Sequence, residues 1–152
     1  MKARVLVGLQ FGLLGLLALV KGSSLVDPNS IFEKLSPYLY VIGALILILA
    51  YKALRPSLRV SPIPLEGAPL ITTGIYKWLR HPMYFSVLIF GAGLALRGVS
   101  LVSIGLWLIL FIVLIIKASY EDSLLALAHS QALDYQRNTR GIFLTKKIVK
   151  EK

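Results

Sequence analysis

Cysteine is absent from all 152 residues, which excludes disulfides, thiolate metal sites and cysteine nucleophiles together and leaves the redox compartment undetermined. Charge is scarce as well, at 16% of the chain, and acidic charge scarcer still: seven Asp and Glu stand against 17 Lys and Arg, a formal net charge of +10. No internal repeat or low-complexity tract interrupts the chain, so 1–152 reads as a single domain. What is plentiful is apolar surface: 57% of the residues are hydrophobic, too many for an ordinary soluble domain of this length, and a bilayer is the natural solvent for them. The basic residues fall between and after the apolar runs and form no aromatic-interleaved face. That places the charge at a membrane surface and argues against nucleic acid as a partner.

Four apolar runs stand out, Val5–Val20, Tyr38–Leu54, Met83–Leu96 and Val99–Ile116. The second and fourth approach the roughly 20 residues that cross about 30 Å of hydrocarbon. The first is shorter and holds Gln10, but a start at Ala3 and a snorkelling Lys21 lengthen it. No small-x-small cleavage site follows it, so it is expected as a retained helix and not a signal peptide. Ser36-Pro37 offers a start for the second helix, by capping and by the tolerance of proline at the first helical position, and Pro56 ends it. The 14 residues of the third run rise only about 21 Å as a helix. Gly98 separates it from the fourth so tightly that the two should form a hairpin. The expected fold is therefore an all-α integral membrane protein with spans over 3–22, 37–54, 82–96 and 99–117 and a cytoplasmic helix over 118–136. Gly91, Gly93 and the glycines of the first span allow close helix contacts, with the oligomeric state open.

Lys2, Arg4, Lys52, Arg55, Arg59, Lys77, Arg80, Lys117 and every basic residue beyond share one side of such a bundle, leaving Lys21, Lys34 and Arg97 opposite. The positive-inside rule then puts both termini in the cytoplasm. The loop from Arg55 to Arg80 and the tail from Ala118 face each other there, where a water-soluble cofactor would bind. Pro56, Pro62, Pro64 and Pro69 favour an extended path for the loop. In the tail, Glu121, Leu125, Ala128, Ala132 and Tyr135 fall on one stripe at helical spacing, and Gly141 ends the helix or the turn after it.

The densest polar cluster is Gly74-Ile75-Tyr76-Lys77-Trp78-Leu79-Arg80-His81-Pro82-Met83-Tyr84, where the loop enters the short third helix. Pro82 suits the first turn, which leaves Arg80 and His81 at the helix mouth, where free N–H groups and the helix dipole favour an anion such as a ligand carboxylate. The competing reading has Arg80 snorkelling to phosphate headgroups while Tyr76, Trp78 and Tyr84 form an interfacial aromatic belt. Glu121, just past a membrane helix, is costly in hydrocarbon. It is either solvated and paired with Lys117 four residues back, or aimed along the packed stripe above Leu125 and Ala128. The run Tyr135-Gln136-Arg137-Asn138-Thr139-Arg140 is basic and polar, a composition that commonly meets anionic lipid.

Ser61-Pro62-Ile63-Pro64, then Leu70 to Tyr76, then Arg80-His81-Pro82-Met83-Tyr84 resembles the isoprenylcysteine carboxyl methyltransferase and phospholipid methyltransferase superfamily. Its hallmark is G-x-Y-x-x-x-R-H-P-x-Y followed by a membrane hairpin, a Glu pair and a tail containing Y-x-x-Y. The likeness covers roughly the last 90 residues. It implies an S-adenosylmethionine pocket between the helix ends and the cytoplasmic segments, open sideways to lipid. Tyr76, His81, Pro82, Tyr84 and Glu121 would then bind the cofactor, Arg80 and Arg137 would be catalytic, and Tyr135 would contact substrate. The sequence departs from the pattern twice. An ungapped tail makes the Glu pair Tyr120-Glu121, the alignment we adopt, whereas Glu121-Asp122 needs a one-residue deletion; and Ala128-His129 replaces the usual Phe-Gly. Glu121 and Tyr135 stand 14 residues apart, about 21 Å on a continuous helix, so both reach one methyl group only if the helix breaks.

Methyl transfer from a sulfonium is an in-line displacement that needs alignment and no metal. A carboxylate acceptor needs no general base, and Arg80 or Arg137 would orient it. An amine acceptor must lose a proton, to His81 or Glu121. The expected partners are the bilayer and a lipid-like or prenylated substrate. The rival readings are a membrane reductase of the sterol-reductase type using NADPH and a non-catalytic interaction protein on the same scaffold. Stabilisation by S-adenosylhomocysteine but not NADPH separates the first, and binding lost on His81→Ala or Glu121→Ala the second.

Overall fold

The computed structural model describes residues 2–20, 25, 30–55 and 70–142. Its elements are α1 (Lys2–Leu19), α2 (Ile31–Leu54), a 3-10 turn at Gly74–Lys77, α3 (Pro82–Leu96), α4 (Leu101–Ala128) and α5 (Ala132–Asn138). Among the described residues there is no strand, and the one extended pairing is an isolated parallel bridge between Leu79 and Arg140. By length and composition α2 and α4 suffice to cross a membrane, while α1 and α3 are shorter apolar helices.

The third helix runs where the sequence puts it, and the other helices differ in their boundaries. The second helix begins at Ile31, six residues before Pro37, because Ser30 caps it by accepting the Glu33 N–H at 3.5 Å. Ser36 is no cap. It is buried inside the helix, and its hydroxyl donates to the Gly93 carbonyl at 2.9 Å, joining α2 to α3. The fourth helix starts at Leu101 behind a reciprocal cap, Ser100 and Ser103 each bonding the other's backbone N–H. It then continues to Ala128 without a joint at 117/118, so the separate cytoplasmic helix over 118–136 does not exist. Residues 118–128 contain no Gly or Pro and are rich in Ala and Leu, good helix formers, so a change of polarity there is not a change of backbone. The break falls at His129–Gln131, and it takes Ala132 and Tyr135 off the Glu121 stripe onto α5. The first helix ends at Leu19. Lys21, Gly22, the four loop prolines with Ser61 to Pro64, and the tail past Ile142 lie outside the described residues.

The helices pack as α2 on α3, α3 on α4, and α1 against both α3 and α4. The core consists of Leu13 and Leu17 of α1, Leu88 and Ala95 of α3, and Leu110, Val113, Leu114 and Ala118 of α4, closed below by Ile142. Gly43 and Gly93 let α2 and α3 meet closely: a Cβ at Gly93 would stand 2.8 Å from the Tyr40 ring and one at Gly43 3.1 Å from the Ser86 carbonyl. Gly91 faces Leu110 and Trp107 on α4, so Gly91 and Gly93 are spent on packing within the chain. The hairpin of α3 and α4 is tied by the Trp107 indole N–H donating to the Leu88 carbonyl at 3.0 Å. Outward faces of α2 and α4 carry Val41, Leu45, Ile48, Ile109, Ile112 and Ile116 exposed, an apolar surface suited to lipid and costly in water.

Candidate active site

The loop before α3 is bent into place by Gly74, whose φ of +60° is a left-handed conformation that glycine adopts without the cost of a Cβ. The 3-10 turn that follows buries Tyr76 and turns Trp78 outward, 71% exposed. Leu79 then bridges to Arg140, and the Arg80 N–H donates to the Arg140 carbonyl at 2.8 Å. The loop and the tail thus do meet, as the charge pattern led one to expect. His81 occupies the N-cap of α3, and Pro82 the first helical position, where its missing N–H costs nothing.

Arg80 and His81 do not project to a membrane surface; they are 7% and 5% exposed. Their partners come from α4. The Arg80 Nη1 meets Asp122 Oδ2 at 3.0 Å, and His81 Nε2 meets Asp122 Oδ1 at 2.9 Å. The other imidazole nitrogen, Nδ1, lies 3.4 Å from Glu121 Oε2. That same oxygen accepts the Tyr84 hydroxyl at 2.8 Å, and the Tyr84 ring stacks on His81 with centroids 5.4 Å apart and planes 5° from parallel. Burial pulls the His81 pKa down, but the hydrogen bonds to Asp122 and Glu121 and their charge outweigh it, so the imidazole sits above its ordinary value. With a carboxylate on each side, the surroundings favour the doubly protonated ring, in which both nitrogens donate.

The break after Ala128 folds the tail back onto this cluster. The Tyr135 hydroxyl donates to the Tyr76 carbonyl at 2.7 Å and the Gln136 amide to the Asp122 carbonyl at 2.7 Å. Burial raises the Tyr76 and Tyr135 phenol pKa values, with Glu121 adding to it at Tyr76, so both stay neutral donors.

Of the residues singled out in the sequence, Tyr76, Arg80, His81, Pro82, Tyr84, Glu121 and Tyr135 are brought together. Arg137 is not: it is exposed on α5, and no hydrogen bond or ion pair among the described residues engages its side chain. Of the proposed aromatic belt only Trp78 is exposed. Glu121 pairs with Tyr84 and His81, while Lys117 turns to Gln10. Asp122 lies outside the Tyr120-Glu121 pair that the ungapped alignment selects, yet it contacts both Arg80 and His81, so the geometry uses Glu121 and Asp122 together. The signal for it was present in the alternative alignment.

Two features of the cluster are left without a partner. Arg80 Nε is buried with no partner among the described residues, and both contacts of Glu121 fall on Oε2 while its side chain is 27% exposed. A buried N–H donor lacking an acceptor is costly, so Arg80 Nε has a hydrogen bond left to donate.

Comparison with known families matches residues 33–132 to phospholipid methyltransferase. No curated protein and no solved structure matches the chain. The matched stretch runs from α2 through the Arg80-His81-Pro82 turn and the α3–α4 hairpin to the first residue of α5, so it contains Arg80, His81, Tyr84, Glu121 and Asp122. The chain belongs to the phospholipid methyltransferase family.

Proposed function

We propose that this protein transfers a methyl group from S-adenosylmethionine to a membrane-associated acceptor, an isoprenylcysteine-like carboxylate or a lipid, in a single domain spanning 1–152. The observation that carries the reading is His81, held between the Glu121 and Asp122 carboxylates at the mouth of a short apolar helix, beside an unpaired buried Arg80 Nε.

The residues present fit the methyl donor. A free N–H on Arg80 suits its carboxylate, and the partly exposed Glu121 suits its ammonium or a ribose hydroxyl. When bound, the donor supplies an electrophilic methyl on a sulfonium, displaced in line. The protein's share is alignment and charge. Asp122 fixes Arg80 and His81, Tyr84 fixes Glu121, and Tyr135 fixes the 3-10 turn through the Tyr76 carbonyl. For an amine acceptor the proton goes to Glu121, since a protonated His81 has no lone pair to offer. For a carboxylate acceptor no base is needed, and Arg80 supplies the orienting charge.

In this reading α1 to α4 all cross the bilayer, with both termini and the site on the cytoplasmic side. The 28 residues of α4 rise about 42 Å, more than the roughly 30 Å of hydrocarbon. Counting from Leu101, Glu121 lies about 30 Å along, at the far interface, where a carboxylate meets water and substrate slides in from lipid. Incubation of proteoliposomes with methyl-labelled S-adenosylmethionine, followed by partition of label into lipid, peptide and aqueous fractions, tests the reading and identifies the acceptor class. Heat stabilisation by NADPH but not S-adenosylhomocysteine would replace it with a reductase.

A further inference from the structure

Gln10 is the one polar side chain between Val5 and Val20, and it is 6% exposed. A buried amide in an apolar helix needs a partner. It finds one on α4: Lys117 Nζ donates to Gln10 Oε1 at 2.7 Å. Lys117 is itself 3% exposed, and its ammonium lies 4.8 Å from the centroid of the Tyr84 ring, within the range of a cation–π contact. The Tyr84 hydroxyl binds Glu121 Oε2, which meets His81 Nδ1. A continuous path of contacts therefore runs from the middle of α1 to His81. The family match starts at residue 33, so α1 lies outside it.

We propose that Gln10 and Lys117 are positioning residues: through them α1 holds the Tyr84 ring in register with Glu121 and His81. The catalytic consequence rests on the methyl-transfer reading above; the coupling itself does not. Packing alone does not explain the pair. Two apolar side chains would join α1 to α4 without desolvating a cation, and replacing buried charged groups by hydrophobic ones of similar volume is often neutral or stabilising. A cation kept in such a place, one helical turn from Glu121 and over the ring that binds Glu121, is placed to act on that ring and that carboxylate.

The chain has two histidines, so labelling with ¹⁵N-histidine gives two imidazole spectra, and His129→Gln assigns the His81 one. The full chain in lipid nanodiscs is compared as wild type, Gln10→Leu/Lys117→Met and Lys117→Arg. Arg80, Tyr84, Glu121 and Asp122 still face His81 in each. For the double variant we expect a melting temperature equal to or above wild type, a displaced His81 resonance and titration of His81 at higher pH, because a nearby cation is gone. Methyl transfer should fall in kcat by about tenfold or more with KM for the donor little changed, as misalignment would produce. Lys117→Arg, which keeps the charge, should recover most of both signals. A folded double variant whose His81 spectrum and titration match wild type overturns the proposal. If the double variant does not fold, Gln10→Leu alone decides: it untethers the cation, so the His81 resonance must move. A wild type without methyl transfer overturns the proposed function, while the histidine spectra still decide the coupling.

Discussion

Asp122 and His81 meet through Oδ1 and Nε2 at 2.9 Å, and the second oxygen of the same carboxylate takes the Arg80 guanidinium at 3.0 Å. One acidic side chain on α4 therefore bridges Arg80 and His81 at the start of α3, all three with side chains no more than 12% exposed.

Asp122→Asn preserves size and removes that charge. Arg80 is left buried without its counter-ion, a loss of about 3–5 kcal/mol for breaking one side of a buried pair. Thermal unfolding in detergent should show a large drop in melting temperature; a variant as stable as wild type would show that Arg80 does not depend on Asp122.

The raised pKa of His81 carries a pH signature. The folded state holds its proton more tightly than the unfolded state, whose imidazole has a pKa of about 6.5. The resulting stabilisation is complete below that value and is lost as pH rises through the folded pKa. Wild-type melting temperature should therefore decline as pH rises above about 6.5, and His81→Gln should flatten the profile there. Parallel profiles for the two proteins would contradict a protonated His81.

Tyr135 and Arg137 are separated by their placement on α5. Tyr135→Phe deletes the bond to the Tyr76 carbonyl, about 1 kcal/mol and a few degrees of melting temperature, and it should reduce methyl transfer by loosening the 3-10 turn. Arg137→Ala removes an exposed side chain and should leave transfer close to wild type. The opposite ranking would restore Arg137 to the site.

At the α2–α3 contact, Gly93→Ala would bring a Cβ within 2.8 Å of the Tyr40 ring and 3.1 Å of the Ser36 carbonyl. Overpacking of this kind costs about 1–3 kcal/mol, and it disturbs the bonds that Ser36 and Tyr40 donate to the Gly93 carbonyl. Calorimetric melting of the variant measures it; an unchanged transition would mean that the helices separate there freely.

Much of this site is legible in the sequence because a few residues have narrow structural meanings. Pro82 after Arg80-His81 marks a helix start, and Gly98 marks a tight hairpin. Glu121 and Asp122 mislead for a definite reason. Neighbours on a helix point in different directions, so sequence spacing suggests that one of them serves the site. Both do, because His81 lies between them and offers one ring nitrogen to each. The extent of α4 is hidden for another reason: the sequence turns polar from Lys117 onward, while the backbone goes on as helix to Ala128. Ser36-Pro37 reads as a helix start by composition, but Ser30 six residues earlier already caps the helix, which frees Ser36 to tie α2 to α3. The return of Tyr135 depends on a three-residue break that no proline or glycine announces.

Titration calorimetry with S-adenosylhomocysteine on purified wild type and Glu121→Gln tests the methyl-donor site most directly. We expect saturable binding to the wild type, weakened at least tenfold by the loss of the Glu121 charge, with both proteins folded. Absence of binding to a folded wild type, or equal binding to the two, would contradict a donor site built on Glu121 and His81.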